Sequence, residues 1–312
     1  MRRLWICLCL LVSCGQDIPG APPERAGALE GDRPSVLLLI VEQAQASDLD
    51  RQGLLDGNTL VSLGTRMGGA YGRFDQAAAT RTDLLGSVNL PGLDAGGDLA
   101  AHFVAGDYRT PELSVEDYSA LWTGSGPAFG VLNFGGDQGL GQATAMVESL
   151  LASEHGAEVL WAVVALTGDP AAEPISEGRL AVPMVLGIEG RLERGEIRPQ
   201  VVSHADLAAT LLDLCDLGRS PGEGAEGQSF ARLLIKKPHA WRGHVLARCV
   251  APSPDEPWGW VRSRKWRMVI GPDEFFELSY VEADPLSQQD DSGRPGASTA
   301  AIEMRRVLDA WN

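Results

Sequence analysis

The feature that most restricts what this chain can fold into is a run of six apolar residues, Val36-Leu37-Leu38-Leu39-Ile40-Val41, that stops on the charge of Glu42. A half-buried strand alternates apolar and polar residues, and a surface helix repeats them every three to four. An unbroken short run reads instead as a strand buried on both faces, the signature of the centre of a parallel sheet. Residues 158–166 hold a second run of this kind, which ends in Thr167-Gly168-Asp169. Residues 129–134 read as a further strand. Residues 140–153 read as a helix with Met146, Val147, Leu150 and Leu151 on its apolar positions. Residues 179–186 lead into another strand, and residues 201–214 run from a strand into a helix. Strands alternating with helices in this way predict an α/β fold with a mostly parallel sheet.

In open α/β sheets the functional crevice lies outside the carboxyl ends of the strands. Glu42 and Asp169, each at an outgoing strand end, are therefore placed to hold a cation; the alternative is a pair of strand-end carboxylates in water. Between the two runs, Thr80 precedes Leu84-Leu85 and has Asp83 three positions on, the pattern of a helix N-cap. A helix start offers unpaired N–H groups, and with Arg81 beside it this one can cradle a sulfate or phosphate. The alternative is an ordinary surface helix start.

Taken in order, these segments resemble the sulfatase family of the alkaline phosphatase superfamily. The carriers are Pro34-Ser35-Val36 through Glu42, residues 77–86, Thr167-Gly168-Asp169-Pro170-Ala171, Val182-Pro183, residues 202–214, Glu277-Leu278-Ser279-Tyr280 and Asp284-Pro285. The resemblance spans residues 33–291. It implies a three-layer α/β/α sandwich with a mostly parallel sheet and a small C-terminal antiparallel β subdomain.

The resemblance also places Ala77 where the family has the cysteine or serine that is oxidised to formylglycine. A methyl group cannot be activated by any base or metal. Of the family's calcium ligands, Glu42 and Asp169 stand at matched positions, whereas Gln43 occupies the place of a second aspartate and Pro170 that of a histidine. Such a set holds Ca2+ or Mg2+ weakly at best, because calcium takes six to eight oxygens. The lysines, Lys236, Lys237 and Lys265, lie beyond the matched catalytic segments, and His102, His155, His204, His239 and His244 fall on no matched catalytic position. Residues 88–131 replace a longer family segment that carries catalytic histidine and lysine. These departures point to a catalytically inactive pseudoenzyme with vestigial Ala77 and Arg81 and a binding or scaffolding role. The alternative is a metal-dependent sulfate or phosphate ester hydrolase with an unconventional nucleophile such as Thr80 or Thr82.

A separate signal lies at the start of the chain. Arg2-Arg3, the apolar stretch 4–11 and Val12-Ser13-Cys14 form a short secretory signal, too short to span a bilayer. Leu11-Val12-Ser13-Cys14 resembles the bacterial lipobox, so residues 1–13 are expected to be removed and Cys14 acylated, which anchors the chain to a membrane. Gly15 after the cysteine favours the outer membrane, with the protein facing the periplasm or the cell surface. Residues 14–33, rich in Gly, Pro, Ala and charge, read as a tether with a typical reach of about 25 Å. In an oxidising compartment Cys215 and Cys249 can pair or stay as two buried thiols.

The formal charge of −16 makes nucleic acid an improbable partner. Against that acidic background, residues 228–268 are basic, with Arg264, Lys265 and Arg267 near Trp241, Trp258, Trp260 and Trp266. Cations beside aromatic faces suit an anionic glycan or lipid headgroup. The alternative is a small antiparallel sheet packed on the main domain with its arginines on the wet face. The domain organisation expected is a core over 34–227 and a C-terminal subdomain over 228–312.

Overall fold

The computed structural model describes residues 29, 31–49, 60–71, 99–172, 176–217, 227–235, 241–248, 259–271, 276–284 and 289–309. Ten strands lie in these segments: β1 (Ser35–Gln43), β2 (Thr65–Tyr71), β3 (Phe129–Phe134), β4 (Val159–Thr167), β5 (Met184–Gly187), β6 (Ile197–Ser203), β7 (His244–Arg248), β8 (Gly259–Ser263), β9 (Trp266–Ile270) and β10 (Phe276–Tyr280). Helices longer than one turn among them are α1 (Leu99–Ala105), α2 (Gly139–Ala152), α3 (His204–Leu214) and α4 (Ala297–Asp309).

The first six strands form one sheet in the order β3-β1-β4-β5-β2-β6. β1 runs parallel to β3 and to β4, and β2 runs parallel to β6. β5 is antiparallel to both of its neighbours, so five of the six strands point the same way. The two apolar runs are the central pair: Val36 to Val41 are fully buried, and so are Leu160 to Leu166. Burial on both faces requires cover on both. α2 and the turn Leu60–Leu63 pack together, and α1 packs with α3, which completes the expected α/β/α sandwich.

Strand β5 is tight against Trp161 of β4. A Cβ at Gly187 would stand 2.3 Å from the indole, and one at Gly64 would stand 2.6 Å from it. The bulkiest side chain of the sheet is thus accommodated because these two positions have none.

The second sheet, β10-β9-β8-β7, is antiparallel throughout. On one side Val261, Met268, Ile270 and Leu278 pack against Ala297, Met304 and Leu308 of α4. On the other, Val245, Ala247, Trp260 and Val269 pack on Tyr71, Leu180 and Val201 of the main domain. Phe230, Ala231 and Leu234 belong to the main core, so residues 228–235 pack with the first sheet although the sequence groups them with the C-terminal part. Trp241 follows them, its indole nitrogen donating to the carbonyl of Val201 at 2.7 Å.

Candidate functional site

Because five strands are parallel, Gln43, Phe134, Thr167, Tyr71 and Ser203 end on one edge of the sheet, with Gln43 beside Thr167 and Tyr71 beside Ser203. Glu42, one residue before the end of β1, and Asp169, two residues after the end of β4, both lie at that edge. Glu42 is exposed and leans toward the end of β3, where a Cβ at Gly135 would lie 3.3 Å from its carboxylate. Asp169 is half-buried and uses one carboxylate oxygen to accept the Ala171 N–H at 2.8 Å. Its position is fixed from below by Gly168, where any Cβ would fall 2.1 Å from the Gly178 carbonyl oxygen. The Gly168 N–H donates to Arg179 at 2.7 Å and the Asp169 N–H to Gly178 at 2.8 Å.

Next to Glu42 a groove of about 490 Å3 opens between the end of β1 and the start of α2, lined by Gln43, Asp48, Asp137, Gln138, Leu140 and Gln142 among others. The Asp48 carboxylate accepts the Gln45 N–H at 2.7 Å. Among the described residues no group of three or more His, Cys, Asp or Glu side chains could hold a metal ion. Two carboxylates, one already turned to a backbone N–H, do not supply the six to eight oxygens of a calcium site, and the described donor set does not fit that ion. Ala77, Thr80 and Arg81 lie outside the described residues, as do Cys14 and Cys249. The chain leaves β2 at Tyr71, on the crevice edge, six positions before Ala77.

Several groups on this edge carry no motif and were missed in the sequence. Arg179 donates to the carbonyl of Pro170. Behind it sits a buried charge network: the Glu177 carboxylate accepts from Arg262 at 2.7 Å, and Arg267 lies 3.6 Å from Glu277. The Tyr71 ring lies under the Arg262 guanidinium at 5.3 Å and beside Trp260 at 5.1 Å. Burial, and then the charge of Glu177, push the Tyr71 hydroxyl far above the usual phenol range. In the sequence Arg262 and Arg267 are single charges in two mostly apolar segments, and their direct pairing across β8 and β9 is visible only in the fold.

That network corrects two expectations about the basic C-terminal stretch. Arg267 is only 7% exposed and faces Glu277, with burial lowering its proton affinity, so it is withdrawn from any surface anion site. Among the described residues the tryptophans do not form an open aromatic platform: Trp260 is fully buried, Trp241 packs on the main core, and Trp266 meets Tyr280 edge-on at 4.9 Å. Trp258 lies outside the described residues. Arg264 and Lys265 do sit exposed in the turn between β8 and β9. There Lys265 stands 4.0 Å from Glu282, whose carboxyl is held below its ordinary range first by the Tyr280 hydroxyl and then by Lys265 and Arg264.

Two of the histidines lie inside the fold. His204 is fully buried at the start of α3 with its Nε2 2.7 Å from the Ala165 carbonyl oxygen, and His102 is buried in α1. Cys215 is a free, buried thiol, its pKa pushed up to about 12 by burial.

No protein-family model matches the sequence, and no curated protein matches it significantly. Solved structures do match in shape. A 2-O GAG sulfatase superposes with a TM-score of 0.72 at 13% identity, covering 90% of this chain and 92% of the other. A chain solved in complex with k-i-k-neocarrahexaose gives 0.68 at 14% identity, over 90% and 93%. The phosphonate monoester hydrolase of Agrobacterium radiobacter gives 0.69 at 11% identity, over 89% and 95%. No helix among the described residues is long and apolar enough to cross a membrane. The architecture and these superpositions together give the chain the fold of solved sulfatases and of a solved phosphonate monoester hydrolase.

Proposed function

We propose that this chain is an exported, lipid-anchored protein of sulfatase fold that has lost ester hydrolysis and retained a binding or scaffolding role. The observation that carries the reading is Ala77 at the position matched to the family's nucleophile. A site without an attacking atom gains nothing from an intact scaffold. Three departures support it: Gln43 and Pro170 in place of a carboxylate and an imidazole, and an Asp169 carboxylate engaged by the Ala171 N–H. Anchoring rests on Leu11-Val12-Ser13-Cys14, and Cys14→Ser should shift the protein from the membrane fraction to the soluble one. The names of two structural neighbours, a 2-O GAG sulfatase and a chain in complex with D-glucosamine-2-N,6-O-disulfate, suggest an anionic glycan or lipid headgroup as ligand, with the exposed Arg264 and Lys265 as its contacts.

The test is incubation of the purified mature protein with an aryl sulfate, a phosphomonoester and a phosphodiester, each with Ca2+, Mg2+, Mn2+ or Zn2+. No turnover is expected. Turnover that disappears in Glu42→Ala, Asp169→Ala or Thr80→Ala would instead establish a metal-dependent hydrolase. Retention on a sulfated glycan column should weaken when Arg264 and Lys265 are both changed to Gln.

A further inference from the structure

A second cavity, about 680 Å3, opens at the opposite edge of the main sheet, where β1 begins at Ser35. A nine-residue strand separates it from the crevice, roughly 26 Å at the usual rise. Two cations and two acids share its lining: Arg33, Arg191, Asp32 and Glu158. Leu121 and Trp122 supply apolar surface between them. The walls are fixed. Trp122 stacks on His155 with ring centroids 4.9 Å apart and planes 22° apart. Arg33 donates to the Gly106 carbonyl at 3.1 Å, and Arg191 donates to that of Asp32 at 2.9 Å. The rim turns at Gly124 with φ +125°, where a Cβ would stand 3.2 Å from the Arg109 guanidinium. Arg109 in turn ties the loop down by donating to Ala120 at 3.0 Å and Leu121 at 3.2 Å.

A guanidinium has five N–H donors and binds carboxylates with two of them at once. Arg33 also donates to the Asp216 carbonyl at 3.4 Å, and both guanidiniums have more N–H groups than these contacts use. Charges of both signs around an apolar centre are complementary to a ligand that is itself a zwitterion with an apolar body. Asp32 and Glu158 in the lining oppose a purely anionic ligand at this cavity, whereas a zwitterion satisfies charges of both signs. The volume is within the range that encloses a small organic ligand, which is more than a bare headgroup needs. We propose that this cavity binds a short peptide with free termini, its carboxylate on Arg33 and Arg191, its ammonium on Asp32 and Glu158, and its side chain against Leu121 and Trp122. The site goes beyond the reading of the crevice and does not depend on it.

The test is calorimetric titration of the purified chain with alanyl-leucine, with its N-acetylated form and with its C-terminal amide. Saturable binding of alanyl-leucine is expected, weaker by about tenfold for either blocked form because each loses one charge-assisted contact. Glu158→Gln, a change at an exposed side chain, should weaken alanyl-leucine but not its N-acetylated form. Arg33→Gln with Arg191→Gln should weaken alanyl-leucine but not its amide, in a variant whose circular dichroism melt matches the parent. No saturable heat with alanyl-leucine, or equal binding of free and blocked forms, would overturn the proposal. Tighter binding of phosphoethanolamine than of alanyl-leucine would overturn it too, and would reassign the cavity to a lipid headgroup.

Discussion

At the scale of single residues, the sheet is most sensitive where a side chain is missing. Gly187→Ala would drive a methyl group into the Trp161 ring, 2.3 Å away, and overpacking of this kind costs about 1–3 kcal/mol. Urea denaturation should show the midpoint falling with an unchanged slope. Cys215 offers a second test. With its thiol pushed up to about 12 by burial, almost no thiolate is present at neutral pH, and the thiolate is the reactive form. Mass spectrometry should find Cys215 unlabelled by a maleimide in the native protein and labelled in urea. The nature of such positions was not legible in the sequence: Gly187 is one glycine among 37, and only the neighbouring indole gives it a role.

Among elements, helix α3 is the best-defined join. Ser203 and Asp206 form a capping box, and the Asp206 carboxylate accepts the Ser203 N–H and the Gln228 N–H, both at 2.7 Å, while pairing with Arg242. The sequence showed the passage from strand to helix here but not the arginine, which lies 36 residues on. Ser203→Ala should cost about 1 kcal/mol, the usual worth of a cap. Asp206→Ala should cost about 3–5 kcal/mol, because it also strands a partly buried cation; equal losses in the two variants would show that the ion pair adds nothing. Where α4 meets β7, burial lowers the proton affinity of His244, and Glu303 at 3.8 Å opposes this. A histidine harder to protonate when folded stabilises fully above its unfolded pKa of about 6.5, and that stability is lost as pH falls through the lower folded value. Between about pH 7 and pH 5, His244→Gln should therefore lose less stability than the parent.

For the whole molecule, the sequence disclosed the sheet and the edge where its parallel strands end, because burial on both faces leaves a plain apolar signature and its ends are marked by charge. It did not disclose the direction of β5. The residues Met184 to Gly187 are apolar and buried whichever way the strand runs. Nor did it show that Arg262 and Arg267 turn inward, since composition registers charge and not its partner. β5 also has a kinetic side. With its neighbour β4 it makes an antiparallel pair close in sequence, whereas β1 is the first strand among the described residues and sits between β3 and β4, which follow it only after some ninety and some hundred and twenty residues. Long-range parallel pairings form slowly. In pulsed hydrogen exchange during refolding, amides of β4 and β5 should gain protection before those of β1. Until both its partners arrive, the stretch from Val36 to Val41 is an unpaired, uncharged β-forming segment of the kind that seeds aggregates, so the order of assembly makes the heart of the finished sheet the most vulnerable part of the newborn chain.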